Sequence, residues 1–228
     1  MDIVLIAGLW LDGSAWDDVV PRLEKLGHRP VPVTLPGQGD GATSATLDDQ
    51  VAAVLAVVDA AGGPAVVVGH SAATSLAWIA ADARPDKVAA TVLIGGFPDG
   101  DGGTFADYFE PHDGVVAFPG WEPFEGPDSA DLDEEARRRF EARAVTVPAG
   151  VTKGIVRLTD ERRHDVPTVL VCPEFTPAQA REWVATGDVP ELAKARAVEY
   201  VDIESGHWPM FTKPDELARI LAEVADRT

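Results

Sequence analysis

A chain of 228 residues with 46% hydrophobic and 25% charged side chains can fill one sizeable core, which excludes wholesale disorder. Its formal charge of −19 opposes binding to nucleic-acid backbones or anionic lipid, so the expected partner is a small molecule. A lone cysteine, Cys172, permits neither an internal disulfide nor a multi-thiolate zinc site, and it reads as a strand-end packing residue.

Ile3 to Ala7 form a continuous apolar run, suited to a strand buried on both faces of a parallel sheet. Such runs are too short to span a bilayer and no basic, apolar, cleavable leader precedes them, so the expected location is cytoplasmic, with no membrane partner. After the turn Gly8 to Gly13, a helix is expected from about Ser14 to Leu26, with Trp16, Val19, Val20, Leu23 and Leu26 on one face and Gly27 ending it. His28 then caps that end electrostatically. Val31 to Leu35 reads as a second strand, and its proline favours the sheet edge. The glycine-rich loop Pro36 to Gly41 has neither a P-loop lysine nor the full dinucleotide spacing, and reads as an ordinary loop.

Thr46 and Asp49 form a capping pair ahead of a helix over Leu47 to Ala61. A β-branched strand, Pro64 to Val68, leads through Gly69-His70-Ser71-Ala72-Ala73 into a helix reaching about Asp82, and Val88 to Ile94 is the next strand. Strands alternating with helices imply right-handed parallel crossovers, hence an α/β fold with a mostly parallel, doubly wound sheet. From Gly95 the rhythm breaks. Glycine, proline, aspartate and aromatics dominate as far as Pro127, and a charged helix is expected from Asp131 to Ala144. We read 97–165 as a cap inserted into a core made of 1–96 and 166–228. Phe105, Tyr108, Phe109, Phe118, Trp121 and Phe124 then either line an apolar pocket or form the cap's own small core. Val169 to Cys172, a helix near Pro177, a strand over Ala197 to Ile203 and an amphipathic helix over Pro214 to Ala225 complete about six strands.

Ser71 stands between a buried strand and a helix. A serine on that sharp turn has its hydroxyl raised above the sheet, and the following N–H is aimed at a substrate oxygen. Close packing there needs small residues two before and two after it. Gly69 and Ala73 qualify, although Ala73 departs from G-x-S-x-G by a methyl group. A serine hydroxyl needs a base. Among the five histidines, His207 lies in the loop between the last strand and last helix, at the carboxyl edge of the sheet where ligands of open α/β sheets bind. The His70 side chain is expected to point away into the structure, and His112 and His164 fall in the insertion.

With Ala7-Gly8-Leu9-Trp10, Pro36-Gly37-Gln38-Gly39, the serine turn and Gly206-His207-Trp208-Pro209, the chain resembles a small capped serine hydrolase of the α/β-hydrolase fold over nearly its whole length. The spacing Gly8, Trp10, Gly13, Trp16 and Leu26-Gly27-His28 is similar to the branch with plant hydroxynitrile lyases and methyl-ester esterases, with Ala7 in place of that branch's histidine. The resemblance implies an oxyanion hole from the backbone N–H groups of Leu9 and Ala72. It also implies an aspartate at position 176, where this chain has Thr176. Glu174 is the favoured substitute, Asp99 the alternative, and a Ser-His dyad the remaining possibility. Trp10, Phe97, Trp121 and Trp208 are the substrate-pocket candidates. The implied activity is hydrolysis of an ester or related acyl bond of a small, mostly apolar molecule, with neither cofactor nor metal. Lyase or cofactor-free C–C bond chemistry, and a non-catalytic small-ligand-binding protein, are the alternatives.

Overall fold

The computed structural model describes every residue from Met1 to Thr228. Strand β1 (Asp2–Ile6) leads through a 3-10 turn, Gly13–Trp16, into α1 (Val20–Lys25). Next come β2 (Arg29–Pro32), α2 (Leu47–Asp59), β3 (Ala65–His70), α3 (Ala73–Ala83) and β4 (Val88–Ile94). A long segment carries β5 (Val115–Val116), α4 (Glu134–Arg143), β6 (Val147–Pro148) and α5 (Ala149–Thr152). The sheet then resumes with β7 (Thr168–Cys172), α6 (Pro177–Thr186), α7 (Pro190–Lys194) and β8 (Val198–Asp202), and α8 (Pro209–Thr212) and α9 (Pro214–Asp226) close the chain.

Six strands pair in the order β2-β1-β3-β4-β7-β8, and every pairing is parallel. The core follows from the two-residue period of the strands. Val4, Ile6, Val67 and Leu93 face one side and pack with Leu47 and Val54 of α2 and Leu76 of α3. Their neighbours Ile3, Leu5, Val66 and Val92 face the other side and pack with Leu23 of α1 and Leu217 and Leu221 of α9. Strand order reverses between β1 and β3, the switch point at which ligands of such sheets bind. The loops leaving those two strands carry Leu9 and Ser71.

Several elements differ from the sequence expectation. The helix over Ser14 to Leu26 is broken, because the Asp12 side chain accepts the Ser14 N–H at 2.9 Å and holds a 3-10 turn. Pro21, which has no N–H, then sits in the first turn of a new helix. The second strand is the expected edge strand but covers Arg29–Pro32; Val33 adds one more bond to Leu5 before the chain turns. Asp133, not Asp131, starts the charged helix, its carboxylate accepting the Ala136 N–H at 2.7 Å. Within 97–165, β5 and β6 form a small antiparallel ribbon of their own. Most of the aromatics there pack together with Trp10 and Trp208, for example Trp10 on Phe109 and Phe118, and Trp121 on Phe140. Phe105 is buried in the main core, whereas Tyr108 is 64% exposed. His28 lies 3.6 Å from Asp226 of α9, an inter-helix neighbour that its loop position did not suggest.

Candidate active site

The turn after β3 forces Ser71 to φ 55°, in the left-handed region that a residue with a Cβ rarely adopts and that costs about 1–3 kcal/mol. Two close approaches keep it there. A Cβ on Gly69 would stand 2.2 Å from the Ala73 carbonyl oxygen, and one on Gly96 would stand 2.7 Å from the Ser71 carbonyl oxygen. Thr74 adds a polar tie, its hydroxyl donating to the carbonyls of Ser71 (2.8 Å) and Phe97 (3.0 Å).

The N–H groups of Leu9 and Ala72 find no acceptor in the chain, although their residues are only 7% and 8% exposed. Buried backbone donors are almost always paired. Both unpaired donors stand on loops that leave the sheet at its switch point. Trp10, at φ 64°, gives the first of these loops its sharp bend, and its carbonyl accepts the Val145 N–H from the insertion.

His207 Nδ1 lies 2.9 Å from Glu174 Oε1, a contact that favours the tautomer in which Nδ1–H donates to the carboxylate and Nε2 faces away from it. Gly95, at φ 58°, makes room for the pair: a Cβ there would be 3.3 Å from both His207 Nδ1 and Glu174 Oε2. Gly95 thus borders His207 while Gly96 borders Ser71, which sets serine and histidine on either side of one glycine pair at the end of β4. No hydrogen bond joins the Ser71 hydroxyl to His207 Nε2. In hydrolases such contacts commonly tighten only in the Michaelis complex.

Asp99 makes no hydrogen bond to His207. Its carboxylate accepts the Ser75 hydroxyl at 2.8 Å and its N–H donates to the same oxygen, which anchors it to α3. Burial raises its pKa, against the lowering effect of that hydrogen bond. Thr176 is the N-cap of α6 and exchanges bonds with Gln179 in a capping box, so its side chain serves the helix. A cleft of about 440 Å³ opens beside Ser71, bounded by Ala72, Phe97, Asp99, Tyr108, Asp188 and Val189 among others. Phe97 is on its wall. Trp10, Trp121 and Trp208 are not, because they are committed to the aromatic cluster described above.

Two features escaped the sequence. His70 is buried as expected, yet the structure it enters is the histidine loop: its Nε2–H donates to the His207 carbonyl at 2.7 Å, and the two rings lie 4.9 Å apart. Burial, reinforced by the nearby His207, pushes its pKa down to about 3, although the bond to the His207 carbonyl acts the other way. It is therefore neutral and carries its proton on Nε2. The second feature is Asp128 and Asp131, from the insertion. The His207 N–H donates to the Asp128 carbonyl at 2.7 Å and the Gly206 N–H to Asp131 Oδ2 at 2.8 Å. The signal for such contacts was Gly206 itself, since a glycine before a functional histidine marks close backbone approach.

A family model for the alpha/beta hydrolase family matches residues 3–220. The chain belongs to that family. It is 25% identical to methylesterase 7 of Arabidopsis thaliana over 98% of this chain and 96% of the relative. Among solved structures, an extracellular alpha/beta-hydrolase from a Paenibacillus species, described as sharing homology with tobacco salicylic acid binding protein 2, superimposes with TM-score 0.79 at 18% identity over 98% of both chains. A pyrethroid hydrolase from Sphingobium faniae JZ-2 superimposes with TM-score 0.72 at 24% identity over 99% of this chain and 97% of the other. The family expectation drawn from the first loop and the serine turn is met, and the relatives are named as a methylesterase, an alpha/beta-hydrolase and a pyrethroid hydrolase, in keeping with an enzyme of hydrolase type. No helix is long and apolar enough to cross a membrane.

Proposed function

We propose that the protein is a carboxylesterase-type serine hydrolase that cleaves an ester of a small, uncharged molecule through an acyl-enzyme. Ser71 Oγ attacks the ester carbonyl as His207 Nε2 takes its proton. The developing oxyanion is held by the N–H groups of Leu9 and Ala72, and loss of one such donor typically costs about 10²–10³ in kcat. His207 returns the proton to the leaving alcohol, and water, activated by the same imidazole, releases the acid. Glu174 fixes the imidazole tautomer and balances the imidazolium. The reading is carried by one observation: the 2.9 Å contact between Glu174 and His207, made at the end of β4 where Ser71 also borders. The cap role proposed for 97–165 is to close the rim of the cleft through Tyr108.

The test is labelling with a fluorophosphonate, expected to add its mass at Ser71, together with turnover of p-nitrophenyl butyrate, expected to vanish in Ser71→Ala and His207→Ala. Labelling without ester turnover would replace hydrolysis with another chemistry of the same fold. A wild-type protein that is not labelled would overturn the nucleophile assignment.

A further inference from the structure

The loop between β8 and α8 presents His207, and its own internal ties are few: the Ser205 hydroxyl reaches the Gly206 carbonyl at 2.8 Å and the Thr212 hydroxyl of α8 at 3.1 Å. Within Ser205-Gly206-His207, every backbone N–H bond to a neighbour is made to one turn of the insertion. The Gly206 N–H donates to Asp131 Oδ2 (2.8 Å), and the His207 N–H donates to the Asp128 carbonyl (2.7 Å). The Ser205 hydroxyl reaches the same Asp131 oxygen at 3.3 Å. The approach is close enough that a Cβ on Gly206 would stand 2.4 Å from both the Asp128 carbonyl oxygen and Asp131 Oδ1. From the core side the loop is tied at His207, its carbonyl by His70 and its ring by Glu174.

The turn that makes these contacts is itself rigidly built. Ser129, fully buried, donates to the Phe124 carbonyl at 2.7 Å, and Arg137 of α4 donates to both the Ser129 carbonyl and its hydroxyl. Leu132 is buried against the α9 side of the core. Asp131, in contrast, has an exposed side chain whose hydrogen bonds all come from the histidine loop. An exposed aspartate contributes little to the fold, but here a charge-assisted bond sets the peptide immediately before the imidazole.

We propose that Asp131 is a positioning residue for His207: through the Gly206 N–H, the insertion fixes where the imidazole stands relative to Ser71. This rests on His207 being the base of the proposed hydrolase. Misplacement of a reacting group by about 1 Å can cost about 10²-fold in rate. Asp131→Ala is therefore expected to lower kcat for p-nitrophenyl butyrate by about 10–100-fold with KM within about twofold, and to slow fluorophosphonate labelling of Ser71 in parallel. Asp131→Asn keeps an acceptor oxygen for the Gly206 N–H and is expected to restore most of kcat. Should the alanine variant fail to fold, Asp131→Ser, too short to reach Gly206, takes its place. An alanine variant with wild-type kcat, in a protein that Ser71→Ala and His207→Ala inactivate, overturns the positioning role and leaves the hydrolase reading standing. A variant that changes KM alone, or that the asparagine does not rescue, also overturns it. Wild-type turnover by His207→Ala would instead sink the hydrolase reading itself.

Discussion

Glu174 meets His207 from a position two residues ahead of an N-cap, and the geometry explains why the glutamate faces the imidazole and residue 176 does not. Thr176 must accept the Gln179 N–H to begin α6, so its side chain is turned along the helix axis. Glu174 precedes that commitment, follows Pro173, and reaches the imidazole across the bare Cα of Gly95. Glu174→Gln keeps the shape but removes the charge and permits the wrong tautomer, a change that costs about 10⁴ in kcat in a well-characterised triad. The expectation here is a loss of about 10³–10⁴ in kcat with little change in KM or melting temperature. Thr176→Ala should do the reverse, costing about 1 kcal/mol of stability while leaving kcat unchanged. Steady-state kinetics and denaturant unfolding of the two variants separate the assignments. The placement of the candidate serine and histidine was legible in the sequence because each sits in a local pattern, a strand-to-helix turn and a glycine-led loop. The acid was only half legible, because which of two nearby side chains faces the imidazole depends on the turn after β7. Contacts of Asp128 and Asp131 link residues about 75 positions apart and have no local signature at all.

Between elements, a buried ionic network ties the segment just before β7 to helices α3 and α7. Glu191 of α7 accepts from Trp78 of α3 at 3.0 Å and from Arg163 at 2.9 Å, and lies 3.2 Å from His164. Arg163 also reaches Asp82 of α3 at 3.2 Å. Burial pushes the Glu191 carboxyl up, but hydrogen bonds from Arg163, Trp78, Lys194 and His164 outweigh it and hold the pKa at about 2, against an ordinary 4.5. A carboxylate with a depressed native pKa contributes stability that is present above about pH 4.5 and lost as pH falls toward 2. Glu191→Gln leaves a buried arginine short of one counter-charge, a loss that costs about 3–5 kcal/mol in comparable pairs. The variant should therefore melt well below the wild type at pH 7, and the gap should narrow as pH is lowered from 4.5 toward 2 in calorimetry. A gap independent of pH would assign the loss to packing. No periodicity announces this network, since Trp78 and Asp82 read simply as helix and residues 161–165 as the tail of an insertion. The sheet was legible for the opposite reason. Runs such as Val88 to Ile94 carry their burial on both faces in the local sequence, whereas the break at Gly13–Trp16 depended on one aspartate side chain.

Over the whole molecule, the charge of −19 sets a field that reaches the cleft, and the cleft adds to it. Asp99 and Asp188 are on its walls and no lysine or arginine is. A substrate carrying its own carboxylate meets repulsion on approach and again beside Ser71, while an uncharged ester meets neither. Screening separates the two contributions, because the Debye length falls from about 30 Å at 0.01 M salt to about 8 Å at 0.15 M. The p-nitrophenyl monoester of glutaric acid is therefore expected to be turned over with a kcat/KM at least about tenfold below that of p-nitrophenyl butyrate at low salt, the scale on which focused fields change association rates. Added salt should recover the part due to the distant surface and leave the part due to the two carboxylates on the cleft wall. Equal kcat/KM for the two esters at low salt would mean that the acyl chain lies away from Asp99 and Asp188, and would move the acyl site toward the aromatic cluster around Trp10.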